Sequence, residues 1–349
     1  MEAMILAAGE GTRLRPLTHK RPKPLIPVMN TPLLEITLSY LKDFSFKRIL
    51  INSHHLADQI TDFIAGQKKR GGLELEVQFE PEILGTGGGM ARSRDFWHSR
   101  TFLVINGDIL TDINLTKVVG FHLSHGGPAT LVLHDYPAFN QITVDARGRI
   151  ERFRTEPGKG LAFTGIHILD QEIFRYLTLS GSFDIIPVYQ KMIEEGQPVW
   201  AFISRGHYWR DLGTPKSYLK IHEELLNKEF ASTPTPSLPP LWGRLRRDLS
   251  ASSSRVAQSS RVREGGEINK RSLANGRRVL IHPEAEVEEG VKFTGWAVIG
   301  KGCRLKKGCR IADSILWEQV VLEEGVSVAN SIVGKGVRVD HDLMNKVLV

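Results

Sequence analysis

A glycine-rich turn follows the first apolar run of the chain. The strand predicted at Ala3–Ala7 leads into Ala8-Gly9-Glu10-Gly11-Thr12-Arg13. Such a turn lets backbone N–H groups approach phosphate oxygens. It is not a P-loop, because no Gly-Lys-Ser/Thr follows, and it is not the dinucleotide fingerprint, because Leu14 occupies the position of the third glycine. Taken alone, the turn is compatible with phosphate binding and with a plain structural turn.

A proline-rich loop that carries one lysine comes shortly after this turn. Its sequence is Arg21-Pro22-Lys23-Pro24-Leu25-Ile26-Pro27. Proline fixes φ, so a loop with three prolines loses little entropy when its lysine binds an anion. A cation on a stiff loop, close in sequence to a phosphate-binding turn, predicts a site for phosphorylated substrates.

Together the two segments resemble the sugar nucleotidyltransferases, the pyrophosphorylases that join a sugar 1-phosphate to a nucleoside triphosphate. The matched pattern is Gly-x-Gly-Thr-Arg-Leu-x-Pro-x-Thr followed by Pro-Lys-Pro-Leu-x-Pro. The resemblance implies a catalytic role for Arg13 on the β- and γ-phosphates, and one for Lys23 between the α-phosphate and the attacking phosphate. It also implies nucleotide binding by Leu6, Ala8, Gly9, Gly11, Thr12 and Arg13.

Two aspartates are candidates for metal binding. Asp108 follows the apolar strand Thr101–Ile105, and in an α/β sheet ligands are met at the carboxyl ends of strands. Asp211 lies in Trp-Arg-Asp-Leu-Gly-Thr-Pro, which is similar to the family's second metal-binding motif. The resemblance implies that both bind Mg²⁺ and that Asp108 is catalytic. Two carboxylates, phosphate oxygens and waters suit the octahedral geometry of Mg²⁺.

The segment Glu80–Gly89 is similar to the loop that faces the nucleobase in this family, which implies nucleotide binding by Glu80, Gly85 and Thr86. Glycines in a loop allow the backbone to approach a flat ring. A carboxylate at Glu80 accepts two hydrogen bonds and suits guanine, which has two adjacent donors, although it also tolerates uracil. The alternative is that Glu80 is an ordinary exposed acid at the end of a strand.

The sugar side of the site departs from the family pattern. Gly165, in Phe-Thr-Gly-Ile-His, corresponds to the glycine that lies under the sugar. Relatives have Glu-Lys-Pro where this chain has Glu156 followed by Pro-Gly-Lys, so the phosphate-binding lysine is either missing or displaced to Lys159. Asn140 is predicted either to bind a sugar hydroxyl or to be a turn residue. The predicted sugar-phosphate site comprises Asn140, Glu156, Lys159 and Gly165.

The elements that must position these residues alternate between strand and helix over residues 1–230. This alternation predicts an α/β domain with a mixed, mainly parallel, Rossmann-like sheet. The predicted strands are Ala3–Ala7, Arg48–Ser53, Leu75–Glu80, Thr101–Asn106, Ala129–His134 and Leu161–Leu169, with a hairpin in Gln141–Phe153. The predicted helices are Leu33–Phe44, Leu56–Gln67, Leu115–His125, Phe183–Glu195 and Thr214–Phe230.

A second pattern occupies residues 280–349. Aliphatic or aromatic residues recur every six positions, and the interval shortens by one twice. They are Ile281, Val287, Phe293, Ile299, Leu305, Ile311, Leu316, Leu322, Val328, Val333 and Val339. Period six is typical of a β-solenoid with three sides per coil. The pattern resembles the left-handed β-helix built on hexapeptide repeats, and such an appendage predicts a homo-oligomer.

Residues 231–279 are predicted to form a flexible linker that is rich in serine, proline and basic residues. Between Ala231 and Leu280 there are ten basic and three acidic residues, an excess equal to the net charge of +7 of the whole chain. The basicity therefore belongs to one segment, and we expect no nucleic-acid partner. No leader and no membrane span are expected, and the two cysteines, Cys303 and Cys309, suit a cytoplasmic protein.

These observations predict an enzyme that condenses a nucleoside triphosphate with a sugar 1-phosphate, with release of pyrophosphate. The preferred pair is GTP and mannose 1-phosphate, which gives GDP-mannose. The alternative pair is UTP or dTTP with glucose 1-phosphate or a related sugar. A non-catalytic regulatory subunit is the alternative from another class, but it would be expected to lose some of Arg13, Lys23, Asp108 and Asp211, and all four are present.

Overall fold

The computed structural model describes residues 1–156, 158–178, 181–227 and 278–349. The α-helices in these ranges are α1 (Leu33–Asp43), α2 (Ala57–Arg70), α3 (Gly85–Arg92), α4 (Leu115–His125), α5 (Ile185–Glu194) and α6 (Pro215–Leu226). The strands are β1 (Glu2–Leu6), β2 (Pro27–Val28), β3 (Thr31–Pro32), β4 (Arg48–Ser53), β5 (Glu74–Phe79), β6 (Thr101–Asn106), β7 (Ile109–Thr111), β8 (Ala129–His134), β9 (Thr143–Val144), β10 (Ile150–Arg152), β11 (Ala162–Asp170), β12 (Val199–Ser204), β13 (Trp209–Asp211), β14 (Arg278–Ile281), β15 (Glu286–Val287), β16 (Lys292–Ile299), β17 (Arg304–Leu305), β18 (Arg310–Leu316), β19 (Val321–Leu322), β20 (Ser327–Ala329), β21 (Ile332–Val333), β22 (Arg338–Val339), β23 (Leu343–Met344) and β24 (Val347–Leu348).

The described residues group into two compact units. The first comprises Met1–Glu10, Pro22–Leu25 and Thr37–Asp211, and the second comprises Gly11–Arg21, Ile26–Ile36 and the described part of Leu212–Val349. The linker predicted at residues 231–279 lies outside the described residues except at its end, where β14 begins at Arg278. Over the ranges given above, no helix is both long and apolar enough to cross a membrane.

A seven-stranded sheet organises the first unit. Its strand order is β12-β8-β11-β6-β1-β4-β5. Parallel pairing joins β6, β1, β4 and β5, and it also joins β8 with β12, whereas β11 is antiparallel to both of its neighbours. The chain passes from β1 to β4 and β5 on one side and then returns to β6 on the other. This reversal creates a topological switch point beside β1, where α/β sheets bind ligands.

Hydrophobic side chains from the strands and from α5 form the core of this unit. Its fully buried members include Phe102, Val104, Leu131, Leu169 and Tyr189. Strands buried on both faces have continuous rather than alternating apolar sequences, which explains runs such as Thr101–Ile105. The predicted mixed, mainly parallel α/β sheet is therefore confirmed.

The second unit contains a parallel β-helix. Strands stack in register so that the residues predicted to point inward lie above one another. One column contains Ile281, Ile299, Leu316 and Val333, a second contains Val287, Leu305, Leu322 and Val339, and a third contains Phe293, Ile311 and Val328. Leu348 extends the first column and Leu343 the third, although the predicted pattern included neither. The six-residue pattern therefore predicts the three-sided coil correctly.

Helix α6 and the segment Ile26–Ile36 belong to the same unit as the β-helix. Thr214 caps α6 by accepting a hydrogen bond from the backbone of Ser217, whose hydroxyl accepts one from the backbone of Thr214. On the buried face of α6, the backbone N–H of Met29 donates to Nε2 of His222 at 3.1 Å. The side chain of Asn30 donates to the carbonyl of Ile299 in β16 at 3.0 Å. The β-helix in this unit is thus hydrogen-bonded to residues near the amino terminus.

Candidate active site

A pocket opens at the carboxyl ends of the central strands of the first unit. It is lined by Leu6, Ala7, Ala8, Gly9, Lys23, Pro24, Asn52, Glu80, Ile83, Gly85, Thr86, Asn106, Gly107 and Asp108. The ends of β1, β4 and β6 all contribute to it, so it lies at the switch point of the sheet. The structure therefore brings eight of the predicted site residues together, namely Leu6, Ala8, Gly9, Lys23, Glu80, Gly85, Thr86 and Asp108.

Gly107 allows the ends of β1 and β6 to meet closely beneath this pocket. Its backbone N–H donates to the carbonyl of Leu6 at 2.8 Å. A Cβ atom added at this position would lie 2.9 Å from that same carbonyl oxygen. Only glycine fits there without movement of the backbone. Asp108 is thereby held directly after this close contact between the two strands.

Lys23 brings the two predicted metal-binding aspartates together. It begins a single turn of 3-10 helix, Lys23–Leu25, and it is only 9% exposed. Its Nζ atom lies 2.5 Å from Oδ2 of Asp108 and 3.8 Å from Oδ1 of Asp211. Because both oxygens contact one ammonium group, the two carboxylates face the same small volume.

A short antiparallel ribbon positions Asp211. Strand β13 pairs with β7, and Asp211 lies opposite Ile109, the residue after Asp108. The ribbon is fixed from the side by Trp209, whose indole N–H donates to the carbonyl of Thr164 at 2.9 Å. The pairing of β13 with β7 thus places Asp211 beside Asp108.

The donor set fits a hard divalent cation. Among the described residues there is no group of three or more His, Cys, Asp and Glu side chains that could hold a metal ion. Asp108 and Asp211 provide two carboxylates beside Lys23, and Mg²⁺ is commonly bound by one or two protein carboxylates together with substrate phosphates and waters.

Glu80 is buried and belongs to a chain of hydrogen bonds. It is 0% exposed, so the alternative of an ordinary exposed acid is wrong. Its Oε1 accepts from the amide of Asn52 at 2.7 Å, and Oδ1 of Asn52 accepts from the backbone N–H of Ala7 at 2.6 Å. Its Oε2 accepts from the backbone of Leu84 at 3.3 Å. The carboxylate therefore supports both the start of the glycine-rich turn and the segment that enters α3.

The glycines after Leu84 form a helix and not the loop that we expected. Helix α3 begins at Gly85, which has φ of 70°, and continues through Gly87. A Cβ atom at Gly85 would lie 2.5 Å from the carbonyl oxygen of Phe183, and one at Gly87 would lie 2.3 Å from the Phe183 ring. The glycines therefore make room for Phe183, and this packing outweighs their low helix propensity. Thr86 contributes as well, because its hydroxyl oxygen accepts from the backbone of Ile185 at 2.9 Å.

Gly11, Thr12 and Arg13 belong to the second unit. Gly11 has φ of 65° and ψ of 31°, a left-handed conformation that favours glycine. Its carbonyl accepts from the backbone of Leu14 at 2.9 Å and from the hydroxyl of Thr18 at 2.9 Å. This bonding fixes the turn from which Thr12 and Arg13 extend as exposed residues.

The predicted sugar residues fall into two groups. Gly165 has φ of 81°, and a Cβ atom there would lie 2.6 Å from Nδ2 of Asn106, so this glycine makes room for a residue that lines the pocket. The amide of Asn140 is engaged within its own turn, because its nitrogen donates to Asp135 and its oxygen accepts from the backbone of Tyr136. The structure therefore favours the alternative that Asn140 is a turn residue.

Glu156 and Lys159 contact each other and are exposed. Nζ of Lys159 lies 2.6 Å from Oε2 of Glu156, and the two side chains are 69% and 75% exposed, respectively. Neither residue lines the pocket. The predicted role of Glu156 and Lys159 in sugar-phosphate binding therefore stays a prediction.

Three polar or glycine residues that line the pocket were not predicted as site residues from the sequence. They are the asparagines Asn52 and Asn106 and the glycine Gly107. Asn52 is the next-to-last residue of β4, and Asn106 is the last residue of β6. The rule that ligands meet the carboxyl ends of parallel strands would have indicated both asparagines.

Two family models match the chain. The family model described as nucleotidyl transferase matches residues 2–228, and the model described as GMPPB C-terminal domain matches residues 276–345. The two matches together cover both patterns found in the sequence.

Individual relatives match along almost the whole chain. A UTP–glucose-1-phosphate uridylyltransferase of Synechocystis is 28% identical, and the match covers 95% of this chain and 87% of the relative. A probable mannose-1-phosphate guanylyltransferase 3 of rice is 27% identical over 98% of this chain and 93% of the relative. The mannose-1-phosphate guanylyltransferase of Mycobacterium tuberculosis is 25% identical over 93% and 82%, respectively.

Solved structures share the fold over about two thirds of the chain. HddC from Yersinia pseudotuberculosis aligns with a TM-score of 0.55 at 24% identity, over 64% of this chain and 98% of that one. A putative glucose-1-phosphate thymidylyltransferase from Bacillus anthracis aligns with a TM-score of 0.56 at 24% identity, over 64% and 94%. Because the nucleotidyl transferase model spans well over half of the sequence, the chain belongs to the nucleotidyl transferase family.

Proposed function

We propose that this nucleotidyltransferase joins GTP to mannose 1-phosphate and releases GDP-mannose and pyrophosphate. The observation that supports it most is the contact of Lys23 with both Asp108 and Asp211 beside a pocket at the switch point of the sheet. One cation and two carboxylates at such a place suit a reaction between two polyanions. The relatives named as mannose-1-phosphate guanylyltransferases support the choice of substrates.

The chemistry requires positioning rather than a general base. The nucleophile is a phosphate oxygen of the sugar 1-phosphate, which is already anionic at neutral pH, and it attacks the α-phosphorus as pyrophosphate leaves. The nearly buried Lys23 ammonium offsets the repulsion between the two phosphates, and Arg13 binds the β- and γ-phosphates. Asp108 and Asp211 would hold Mg²⁺, which supplies further neutralisation of phosphate charge when bound.

The base is proposed to lie against the segment that Glu80 supports. Glu80 uses one oxygen for Asn52 and the other for the Leu84 backbone, and a carboxylate has further acceptor capacity on both oxygens. The adjacent donors of guanine match a pair of carboxylate oxygens better than the single donor of uracil does. On the sugar side, Gly165 beside Asn106 is proposed to lie under the sugar. Glu156 and Lys159 keep their predicted role in sugar-phosphate binding, whereas Asn140, whose amide is engaged within its own turn, is proposed to be a turn residue.

The second candidate is a uridylyl- or thymidylyltransferase that acts on glucose 1-phosphate or a related sugar. It is favoured by the Synechocystis relative, whose name states that activity.

We further propose a cytoplasmic homo-oligomer that associates through the β-helix, with a catalytic domain at residues 1–230 and the β-helix at residues 280–349. Light scattering on the full chain after size exclusion tests the association, and a monomeric mass would reject it.

The decisive experiment measures pyrophosphate release in the presence of Mg²⁺. GTP, UTP, dTTP, CTP and ATP are each combined with mannose, glucose and N-acetylglucosamine 1-phosphates. We expect the highest kcat/KM with GTP and mannose 1-phosphate. A maximum with UTP or dTTP and glucose 1-phosphate would favour the second candidate. No release with any pair, together with no nucleotide binding by calorimetry, would indicate the regulatory subunit.

A further inference from the structure

We propose that Arg21 is a positioning residue for Lys23 and that the β-helix holds it in place through Trp317 and Glu318. The inference rests on the proposed function, in which Lys23 binds the reacting phosphates. It assigns the β-helix a part in catalysis that an oligomerisation module would not have. We call Arg21, Tyr218, Trp317 and Glu318 the clasp, and residues Arg21–Pro27 the Lys23 loop.

The guanidinium of Arg21 makes a bidentate pair with Glu318. Nη1 donates to Oε1 and Nη2 donates to Oε2, each at 3.0 Å. The side chains are 15% and 33% exposed, so the pair is partly withdrawn from water. A bidentate pair fixes the plane of the guanidinium as well as its position, which a single contact would not do. Residues 297 positions apart in sequence are thereby joined.

Trp317, the neighbour of Glu318, supports the same loop in two ways. Its ring lies under the guanidinium of Arg21, with 4.7 Å between Cζ and the ring centroid. Its indole N–H donates to the hydroxyl of Tyr218 at 3.1 Å, and that hydroxyl donates to the carbonyl of Pro27. Arg21 and Pro27 are the two ends of the Lys23 loop. One buried tryptophan of the β-helix therefore contributes to anchoring both ends.

The protonation states of the clasp suit this arrangement. Burial raises the pKa of the Tyr218 hydroxyl well above its ordinary value of 10, so it remains a donor for Pro27. Burial also raises the pKa of Glu318, but the hydrogen bonds and charge of Arg21 outweigh it and leave that pKa below its ordinary value. Near neutral pH the carboxylate is therefore charged and the pair is intact.

The chain between the clasp and Lys23 is too short and stiff to absorb a displacement of its ends. Only Pro22 separates Arg21 from Lys23, and Pro24 follows. Proline fixes its own φ and restricts the residue before it, so the few soft angles of the loop are largely fixed. The backbone N–H of Leu25 donates to the carbonyl of Pro22 at 2.9 Å and closes the turn. The orientation of Arg21 is thus passed to Lys23 through the backbone.

The test compares two identical substitutions on the β-helix. Glu318→Gln removes the negative charge that Arg21 contacts. Glu323→Gln serves as the control, because it removes a negative charge that pairs with Lys306, a residue on another coil of the β-helix. Misplacement of a group that contacts the reacting phosphates lowers the rate by about 10- to 100-fold. We expect kcat of pyrophosphate release to fall by this amount in Glu318→Gln with little change in KM, and to stay at the wild-type value in the control.

A second pair of variants separates positioning from general stability. Arg21→Lys keeps the charge but not the bidentate geometry, so it should restore only part of the rate lost in Arg21→Met. In a Lys23→Arg background, Glu318→Gln should cost far less than it does in the wild type, because the group being positioned has already changed. Full additivity of the two losses would reject the proposal, as would equal kcat values for Glu318→Gln and the control.

Failure of the proposed function is distinguishable from failure of this inference. If the wild-type chain releases no pyrophosphate from any substrate pair, the proposed function fails. If the wild type is active and Glu318→Gln matches Glu323→Gln in kcat, the proposed function stands and the clasp has only a structural role.

Discussion

The Nζ atom of Lys23 lies 2.5 Å from Oδ2 of Asp108. Asp211 approaches the same ammonium to 3.8 Å, so a cation proposed to bind phosphates and two anions proposed to bind a metal share one small volume. Lys23 is 9% exposed, and charges that are largely withdrawn from water interact more strongly than exposed ones. The fold alone therefore brings Lys23, Asp108 and Asp211 together and holds their charged groups close to one another.

Asp108→Asn should abolish most of the turnover while leaving the fold intact. The substitution keeps the shape of the side chain but removes a negative charge beside Lys23, which weakens cation binding and the electrostatic support of the reaction. Loss of one such group typically lowers kcat by about 100- to 1,000-fold. Pyrophosphate release at several Mg²⁺ concentrations measures this. Asp62→Asn, on the exposed face of α2, is the control. Turnover of Asp108→Asn at the wild-type level would remove Asp108 from the site.

Glu80→Gln should lower kcat/KM for GTP more than for UTP. A glutamine offers one acceptor oxygen where the carboxylate offers two, so it matches the paired donors of guanine less well. A buried polar group left without its partner costs about 1–3 kcal/mol, which corresponds to a loss of about 5- to 150-fold. Glu82→Gln, an exposed neighbour, is the control. Equal losses for both nucleotides would mean that Glu80 acts by holding Asn52 and does not read the base.

The sequence indicates most of the predicted residues that meet at the pocket because those residues lie in short segments. The turn at Gly9–Arg13 and the loop around Lys23 are each contiguous, and the motifs of Asp108 and Asp211 each follow or form a strand. Hydrophobic periodicity likewise predicts six of the seven strands of the main sheet, all except β12, and most residues of the three columns of the β-helix. Local patterns are thus sufficient to predict a feature when the residues that form it lie within a few positions of one another in the sequence.

Other features arise only when distant segments meet. The helix at Gly85–Arg92 contradicts the low helix propensity of glycine, and the contact with Phe183 that explains it comes from about a hundred residues later in the chain. The burial of Glu80 depends on Asn52, and the orientation of Arg21 depends on Glu318. These contacts join residues that are far apart in the sequence, so no pattern within one segment predicts them and only the structure reveals them.

Gly85→Ala should destabilise the first unit. Gly85 has φ of 70°, which is unfavourable for alanine, and the new Cβ would lie 2.5 Å from the backbone carbonyl oxygen of Phe183. Strain in a packed region costs about 1–3 kcal/mol of the free energy of unfolding. Gly66→Ala provides the control, because a Cβ there meets nothing within 4 Å and alanine favours the helix. Scanning calorimetry should show a lower melting temperature for Gly85→Ala and an unchanged or higher one for Gly66→Ala. The reverse order would contradict the packing argument.

Stability should fall as pH decreases from about 6.5 to about 4, in part because of His222. Burial lowers the pKa of this histidine from 6.5 to about 4. Its Nδ1 is 2.9 Å from the carbonyl of Tyr218 and its Nε2 accepts from the backbone of Met29, so the folded state holds the neutral ring with its proton on Nδ1. Between the two pKa values the unfolded chain binds a proton that the folded chain does not, which favours unfolding as the pH falls.

The contribution of His222 can be isolated by comparing variants across pH. The difference between the two pKa values corresponds to a loss on the order of 3 kcal/mol in the free energy of unfolding. Urea denaturation at pH 7, 5.5 and 4 should show a smaller loss for His222→Gln than for the wild type, because glutamine does not titrate in this range. His19→Gln, at an exposed position, should keep the wild-type pH dependence. Identical pH dependence for His222→Gln and the wild type would mean that protonation of His222 does not oppose folding, and that the loss of stability in acid arises from other groups.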